Sequence, residues 1–181
     1  MDLSEEKALM REEAKRINDD LDHDEMPDSD EAIRQAVLSS KAYISSTRLF
    51  IYVSMENEPD TLKIISDALN AGKEVYVPKC GKKPFMKAVR INSLRDLSPG
   101  KFGILEPGSD EGYEGELDLA VVPCLAAAMN GKRLGHGGGY YDCFLKDRKV
   151  YKLCLCRKKL LKNDLPADEF DVIMDEILTD Y

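Results

Sequence analysis

The sequence predicts an α/β protein in which a mostly parallel, doubly wound sheet lies between two layers of helices. Apolar stretches rich in β-branched and aromatic residues alternate along the chain with amphipathic stretches that have helix-start and helix-stop residues. Buried strands separated by helices are typical of a parallel sheet covered on both faces. The 181 residues contain no internal repeat or long linker, so we expect residues 1–181 to form a single domain.

The N-terminal half contains five predicted elements. Ser4 can cap the first helix, and Asp28 with Glu31 has the capping-box spacing that opens the second helix. An apolar, β-branched and aromatic stretch then predicts a strand. Pro59 and Gly72 bound the next helix. In chain order, the predictions are helices at 4–20 and 28–43, a strand at 48–54, a helix at 59–71 and a strand at 74–77.

The C-terminal half contains four predicted strands and one helix. Its most apolar strand ends at Pro123, and its helix follows a glycine-rich segment. Two of the other strands have weaker patterns, because one alternates only loosely and the last is short. In chain order, the predictions are strands at 85–91 and 117–122, a helix at 138–146, and strands at 150–156 and 173–178.

Composition limits the classes of partner. The net charge of −8 argues against a nucleic-acid partner, because phosphate backbones repel an acidic surface. No apolar stretch approaches the roughly 20 residues of a membrane span, and the acidic N-terminus does not resemble a signal peptide. Five scattered cysteines suit thiols in a reducing compartment. We therefore expect a monomeric, cytoplasmic protein without a nucleic-acid or membrane partner.

The segment 131–145 is the strongest functional signal. Four glycines within residues 135–139 follow Lys132 and Arg133 and precede Asp142. Backbone amides, cations and a lone carboxylate together suit a magnesium-bound nucleotide. The segment lacks the hydroxyl residue of a Walker loop and the third glycine of a dinucleotide fingerprint. A surface turn before a helix is the alternative interpretation.

Glu58 is predicted to share a cleft with this segment. Ligands of open α/β sheets bind beyond the carboxyl ends of the strands. Both Glu58 and the glycine-rich segment follow predicted strands. Strand order therefore places them at the same end of the sheet.

Residues 121–142 closely resemble the hallmark segment of the 5-formyltetrahydrofolate cyclo-ligases, also called methenyltetrahydrofolate synthetases. The string from Arg133 to Asp142 is the specific part of this resemblance. The resemblance extends over nearly the whole chain through shorter matching segments at 7–11, 54–61, 72–78, 102–107 and 170–179.

The resemblance implies an ATP- and Mg²⁺-dependent ring closure. 5-Formyltetrahydrofolate becomes 5,10-methenyltetrahydrofolate, with release of ADP and phosphate. Phosphorylation of the formyl oxygen makes it a leaving group, and the N10 amine then closes the ring. The protein mainly positions the reactants and neutralises charge.

The resemblance also implies site residues. Lys7 and Arg11, which share one face of the first helix, would hold ATP phosphates. The Glu58 carboxylate would accept paired hydrogen bonds from the pterin. The implied catalytic residues are Arg133, Tyr140 and Asp142, and the implied metal ligands are Asp142 and Asp175. The implied ATP-binding residues are Lys7, Arg11, Arg133, Leu134, Gly135, His136, Gly137, Gly138, Gly139, Tyr140 and Tyr141, and the substrate-binding residues are Val53, Glu58, His136 and Tyr140.

Ordinary structural roles remain open for these residues. Lys7 with Arg11 fits a solvated helix face, Glu58 and Asp175 fit exposed acids, and the tyrosines fit core packing. Residues Ala126–Asn130 and Phe170 depart from the family pattern, which commonly has a Phe-Asp pair and a histidine there. One alternative is therefore a non-catalytic nucleotide- or folate-binding relative. Another is an unrelated α/β phosphotransferase that acts on a different amide or acid.

Overall fold

The computed structural model describes residues 1–100 and 103–181 and has eleven strands and five α-helices in this part of the chain. Phe102, the first residue of one matching segment, lies outside the described residues. The helices are α1 (Leu3–Asp19), α2 (Met26–Ser39), α3 (Lys41–Ser45), α4 (Leu62–Asn70) and α5 (Tyr140–Leu145). The strands are β1 (Arg48–Ile51), β2 (Glu74–Cys80), β3 (Met86–Ile91), β4 (Leu97–Pro99), β5 (Leu105–Pro107), β6 (Leu119–Val122), β7 (Ala126–Ala128), β8 (Arg133–Leu134), β9 (Tyr151–Leu155), β10 (Leu161–Lys162) and β11 (Glu176–Leu178).

Six strands form one central sheet in the order β11-β9-β6-β1-β2-β3. All neighbours are parallel except β2 and β3, which form an antiparallel pair. Side chains alternate between two cores, as the two-residue period of a strand requires. Phe50 faces the core that includes α1 and α5 residues, whereas Leu49 and Ile51 face the core built with α2, α3 and α4. The predicted three-layer, mostly parallel α/β fold is confirmed.

The sheet changes direction of winding next to β1. The chain passes from β1 to β2 on one side, and later returns to place β6 on the other side of β1. Ile51 pairs with Val121 across this junction. A crevice forms at such a switch point because the connections leave on opposite faces, and open α/β sheets bind ligands there.

Helix boundaries differ from the prediction where caps were misassigned. Asp2, rather than Ser4, caps α1 through a capping box with Glu5. The predicted capping box at Asp28 is wrong, because α2 begins earlier and has proline in its first turn. The predicted helix 28–43 is two helices, because Ser40 has an extended backbone and accepts a hydrogen bond from the Tyr43 amide.

The C-terminal half contains small sheets that hydrophobic pattern did not predict. Strand β7 pairs with β8 and β10, and β4 pairs with β5. These strands have only two or three residues each, too few to show an alternating pattern. Residues Ala126–Ala128 are fully buried in β7. None of the helices in the described ranges has the length and apolarity that a membrane span needs.

Candidate functional site

Glu58 lies in the loop that connects β1 to α4, at the carboxyl end of the sheet. Its side chain is only 8% exposed. One carboxylate oxygen accepts a hydrogen bond from the Met55 amide at 2.8 Å, and the other is 3.5 Å from His136. Val53 is buried in the core beneath this loop, so it can support a ligand pocket from below.

The glycine-rich loop lies between β8 and α5. Gly137 and Gly139 have φ angles of +96° and +73°, in the left-handed region that favours glycine. Gly139 is also the N-cap of α5. Leu134 is buried in the core, so only its backbone is available to a nucleotide.

Two guanidinium groups contact this loop. Arg11 Nε donates a hydrogen bond to the Gly135 carbonyl oxygen at 2.9 Å. A Cβ atom added to Gly137 would lie 3.6 Å from Arg11 Cζ, and one added to Gly135 would lie 3.3 Å from Arg133 Nη1. The loop is therefore locally cationic although the chain is acidic, which favours an anionic ligand.

Arg133 is held in a nearly buried position, with its side chain 4% exposed. Nη1 donates to the Pro123 carbonyl oxygen at 2.7 Å, and Nη2 lies 3.7 Å from Asp142 Oδ1. Nε is buried and has no hydrogen-bond partner within the described ranges. An unpaired buried donor is costly, so the hydrogen bond to Pro123 and the nearby Asp142 carboxylate are what hold this guanidinium in place.

The two tyrosines at the start of α5 differ in environment. Tyr140 is partly exposed at the first helical position. The Tyr141 ring lies 6.5 Å from Phe50 and 5.6 Å from the Arg133 guanidinium. Burial, followed by the nearby charge of Glu58, raises the pKa of Tyr141 well above its ordinary value. Its hydroxyl therefore stays protonated at neutral pH, which makes Tyr141 a hydrogen-bond donor rather than a base.

Asp142 is the predicted metal ligand in the first turn of α5, just after the glycine-rich loop. Its Oδ1 accepts a hydrogen bond from the Val172 amide at 3.0 Å, and its side chain is 25% exposed. No group of three or more His, Cys, Asp or Glu side chains in the described ranges is placed to hold a metal ion. Because Mg²⁺ commonly takes one or two carboxylates together with substrate phosphates, the single carboxylate of Asp142 fits a nucleotide-bound ion.

Asp175 is engaged with Lys152. Its carboxylate accepts a hydrogen bond from the Lys152 amide at 2.8 Å and lies 3.8 Å from the Lys152 ammonium. It precedes β11 and thus lies towards the amino ends of the parallel strands. Its carboxylate contacts this lysine rather than Asp142.

Lys7 does not lie on a solvated face. It is 8% exposed, and its ammonium contacts Asp168 at 2.8 Å and Asp171 at 2.5 Å. Burial lowers the pKa of Lys7, but hydrogen bonds to these two carboxylates outweigh burial and raise it. Two acids therefore already neutralise the positive charge that was predicted to hold phosphate.

Three contact residues were missed by the sequence interpretation: Asp168, Asp171 and Arg157. The two acids lie in an acidic stretch that gave no signal of a buried partner. Arg157 follows the carboxyl end of β9, so the rule that ligands bind beyond the carboxyl ends of strands could have found it. Its side chain is 3% exposed and pairs with Asp30 at 2.7 Å.

A cavity of about 650 Å³ lies at the opposite end of the sheet, near Asp118 and Val150. None of the predicted site residues lines this cavity. Because ligands of open sheets bind at the carboxyl ends of the strands, we place the candidate site at the carboxyl ends, around Glu58 and the glycine-rich loop.

The Cys124 thiol is not placed to act as a nucleophile. Hydrogen bonding to Cys154 lowers the pKa of the Cys124 thiol, but a hydrogen bond with Cys156 and burial outweigh it and raise that pKa well above its ordinary value. Cys124 is therefore a protonated thiol rather than a nucleophile.

A cationic, glycine-rich loop at the switch point of a doubly wound sheet defines an α/β protein suited to an anionic ligand. The chain belongs to the 5-formyltetrahydrofolate cyclo-ligase family, whose model matches residues 3–180. The predicted resemblance is thereby confirmed, and the alternative of an unrelated phosphotransferase is wrong.

Named relatives cover most of the chain. The mouse 5-formyltetrahydrofolate cyclo-ligase is 32% identical over 81% of this chain and 79% of its own length. A probable 5-formyltetrahydrofolate cyclo-ligase of Caenorhabditis elegans is 30% identical over 97% and 93%. The solved structure of Aquifex aeolicus 5,10-methenyltetrahydrofolate synthetase matches with a TM-score of 0.85 and 28% identity, covering 96% of this chain and 89% of that one.

Proposed function

We propose that this chain converts 5-formyltetrahydrofolate to 5,10-methenyltetrahydrofolate, with ATP as co-substrate and Mg²⁺ as the metal. The observation that carries the proposal is the proximity of the buried Glu58 to the glycine-rich loop, which two guanidinium groups contact. An acid suited to a pterin and a cationic loop suited to phosphates thus meet in one crevice. Membership of the cyclo-ligase family supports the same reaction.

Each step of the proposed reaction has a counterpart in the site. The formyl oxygen attacks the γ-phosphoryl group of ATP, and ADP leaves. The N10 amine then forms a bond to the formyl carbon and loses its proton, while the C–O bond breaks and phosphate leaves. Phosphoryl transfer depends mainly on positioning and charge neutralisation. Arg133 would neutralise the transferred group through the charge of its guanidinium, which lies beside Asp142, and Tyr140 would border the formyl group from the start of α5.

Binding roles follow from the same geometry. Backbone amides of residues 134–139, the Arg11 guanidinium and Tyr141 would bind the nucleotide, and His136 would lie at the border with the folate. Glu58 would bind the aminopyrimidine edge of the pterin, because a carboxylate matches two adjacent donors. Asp142 would be the protein ligand of Mg²⁺, which neutralises phosphate charge when bound. Lys7 would join the site only after exchanging its present acidic partners. Asp175 lies towards the amino ends of the strands, so we do not propose it as a metal ligand.

The test is an absorbance assay for methenyltetrahydrofolate with purified protein, 5-formyltetrahydrofolate, ATP and Mg²⁺. We expect product only when all three additions are present. Absence of product at high protein concentration would contradict the proposal. If calorimetry then still detected folate or ATP binding, the protein would be a non-catalytic relative.

One observation favours that non-catalytic alternative. The departing stretch Ala126–Asn130 contains β7, whose Ala127 is the register partner of Arg133 in β8. The alanines that replace the family's Phe-Asp pair therefore lie in the strand that pairs with β8, and β8 carries Arg133, a proposed catalytic residue. The same absorbance assay decides between the two functions.

We also propose that the protein is a cytoplasmic monomer without nucleic-acid or membrane partners. The net charge of −8 supports the absence of a nucleic-acid partner. Cys124, Cys143, Cys154 and Cys156 are thiols rather than disulfides, which suits a reducing compartment. One similar protein, from Arabidopsis thaliana, is named as mitochondrial, so fluorescence imaging of a tagged chain tests the location. Light scattering after gel filtration tests the monomer.

A further inference from the structure

Arg157 is a buried cation at the carboxyl end of β9 that the proposed reaction does not use. Only 2% of the residue is exposed. Burial of an arginine is unfavourable unless the charge is paired and its donors are satisfied. Its position beyond a central strand places it at the edge of the sheet where Glu58 also lies.

The Arg157 guanidinium contacts both the Glu58 loop and α2. Nη2 donates to the Glu58 carbonyl oxygen at 3.1 Å and to Asp30 Oδ1 at 2.7 Å. Nη1 donates to Ser29 Oγ at 2.6 Å, and Nε points to the Asn57 carbonyl oxygen at 3.5 Å. The planar guanidinium of Arg157 therefore links the backbone of the Glu58 loop to the N-terminal part of α2.

Asp30 holds the same loop from a second point. Its Oδ1 also accepts a hydrogen bond from the Asp60 amide at 3.2 Å. The backbone is thus held at Asn57 and Glu58 by Arg157, and at Asp60 by the acid that pairs with Arg157. A network that fixes both sides of a functional residue restricts its position.

We infer that Arg157 is a positioning residue that fixes the Glu58 carboxylate for reduced folate. This inference rests on the proposed role of Glu58 in binding the pterin. Arg157 acts through the backbone of the loop and does not touch the substrate. A lysine cannot replace it, because an ammonium lacks the planar fork that reaches Ser29, Asp30 and the Glu58 carbonyl oxygen together.

The experiment compares Arg157→Lys with Arg34→Lys as a matched control. Arg34 is an α2 arginine that binds the Asp67 carboxylate of α4 in bidentate fashion, with Nε and Nη2 at 2.6 and 2.9 Å, and its hydrogen bonds within the described residues go to Glu31 and Asp67 rather than to the Glu58 loop. Calorimetry measures the Kd of 5-formyltetrahydrofolate and of ATP, and thermal unfolding checks the fold. We expect Arg157→Lys to raise the folate Kd about tenfold, because small displacements of a binding group are costly. The ATP Kd should change by less than about twofold.

A double-mutant cycle with Glu58→Gln tests whether Arg157 acts through Glu58. The folate Kd of the double variant should be close to that of Glu58→Gln alone, because coupled residues are not additive. Additive effects, an unchanged folate Kd in Arg157→Lys, or an equal rise in Arg34→Lys would each overturn the inference. If Arg157→Lys does not fold, Asp30→Asn must raise the same Kd, and an unchanged value overturns the inference.

The two proposals can fail separately. If Glu58→Gln raises the folate Kd and Arg157→Lys does not, only the positioning role of Arg157 is wrong. If Glu58→Gln leaves the folate Kd unchanged, the proposed role of Glu58 is wrong and the inference about Arg157 falls with it.

Discussion

His136 Nε2 lies 3.5 Å from Glu58 Oε1, although Glu58 follows β1 of the central sheet and His136 follows β8 of a separate small sheet. Glu58 is buried, whereas the His136 side chain is 42% exposed. The contact therefore joins a fixed acid in the crevice to the accessible part of the glycine-rich loop. Since the loop backbone is also in contact with Arg11, these contacts connect the proposed folate site to the proposed phosphate site.

Glu58→Gln tests the folate end of this arrangement. An amide can accept at only one position and offers donors to a donor-rich pterin edge, so we expect the folate KM to rise about tenfold or more. The ATP KM should be nearly unchanged. Glu56→Gln is the control, because Glu56 is an exposed acid of the same loop. Equal effects of the two substitutions on the folate KM would contradict a specific role for Glu58.

The central fold is largely predictable because its strands are apolar and buried on both faces. The stretch that forms β6 is an apolar segment ended by Pro123, and such segments predict a parallel sheet. The two-residue strand β8 is not predictable in this way, because its pairing with β7 depends on tertiary contacts rather than on a local pattern. The cap of α1 at Asp2 was missed for a related reason, since both Asp2 and Ser4 are good caps and only the backbone decides.

Part of the candidate site is predictable, because strand order places charged residues from distant parts of the sequence at the same end of the sheet. Glu58 and the glycine-rich loop are brought together as the strand order predicts. The environment of Lys7 is not predictable, because its partners Asp168 and Asp171 lie at the other end of the chain in a stretch without a distinctive pattern. Spacing along α1 establishes that Lys7 and Arg11 share a face, but it does not establish what that face contacts.

Asp142→Asn tests the proposed metal ligand without removing its structural contact. Asparagine can still accept the hydrogen bond from the Val172 amide, so the fold should be retained. The loss of a carboxylate should reduce turnover at low Mg²⁺ concentration by about 100-fold, because even indirect partners of a metal contribute about 10–100-fold. The measurement is turnover as a function of Mg²⁺ concentration. Asp147→Asn, at an exposed acid just beyond α5, is the control, and a matching loss there would exclude a specific role for Asp142.

Lys132→Met tests the turn that precedes the glycine-rich loop. Hydrogen bonds from Lys132, Asn130 and the Leu165 amide lower the pKa of Asp164 to about 2. Without the Lys132 ammonium, we expect this pKa to rise towards its ordinary value of 3.8, with the chemical shift of the Asp164 carboxyl carbon as the measurement. Lys146→Met, at an exposed lysine beyond α5, should leave this titration unchanged. An unshifted Asp164 titration in Lys132→Met would show that the lysine does not hold the acid in solution.

Lys7→Met tests the ion pairs that join α1 to the C-terminal segment. Hydrogen bonding from Lys7 lowers the pKa of Asp168, so this pair stabilises the fold above the unfolded pKa of the acid and is lost as pH falls through the lowered value. The raised pKa of Lys7 adds stability below its unfolded pKa, which is lost as pH rises through the raised value. We expect Lys7→Met to reduce the free energy of unfolding at neutral pH by about 1–3 kcal/mol, because Asp168 is partly exposed and solvent weakens the pair.

The measurement is denaturant unfolding between acid and neutral pH. In Lys7→Met, the free energy of unfolding should fall less steeply with decreasing pH than in the unmodified chain. Lys15→Met, at an exposed lysine of the same helix, should retain the full acid dependence, and a wild-type dependence in Lys7→Met would exclude the pairs as its cause.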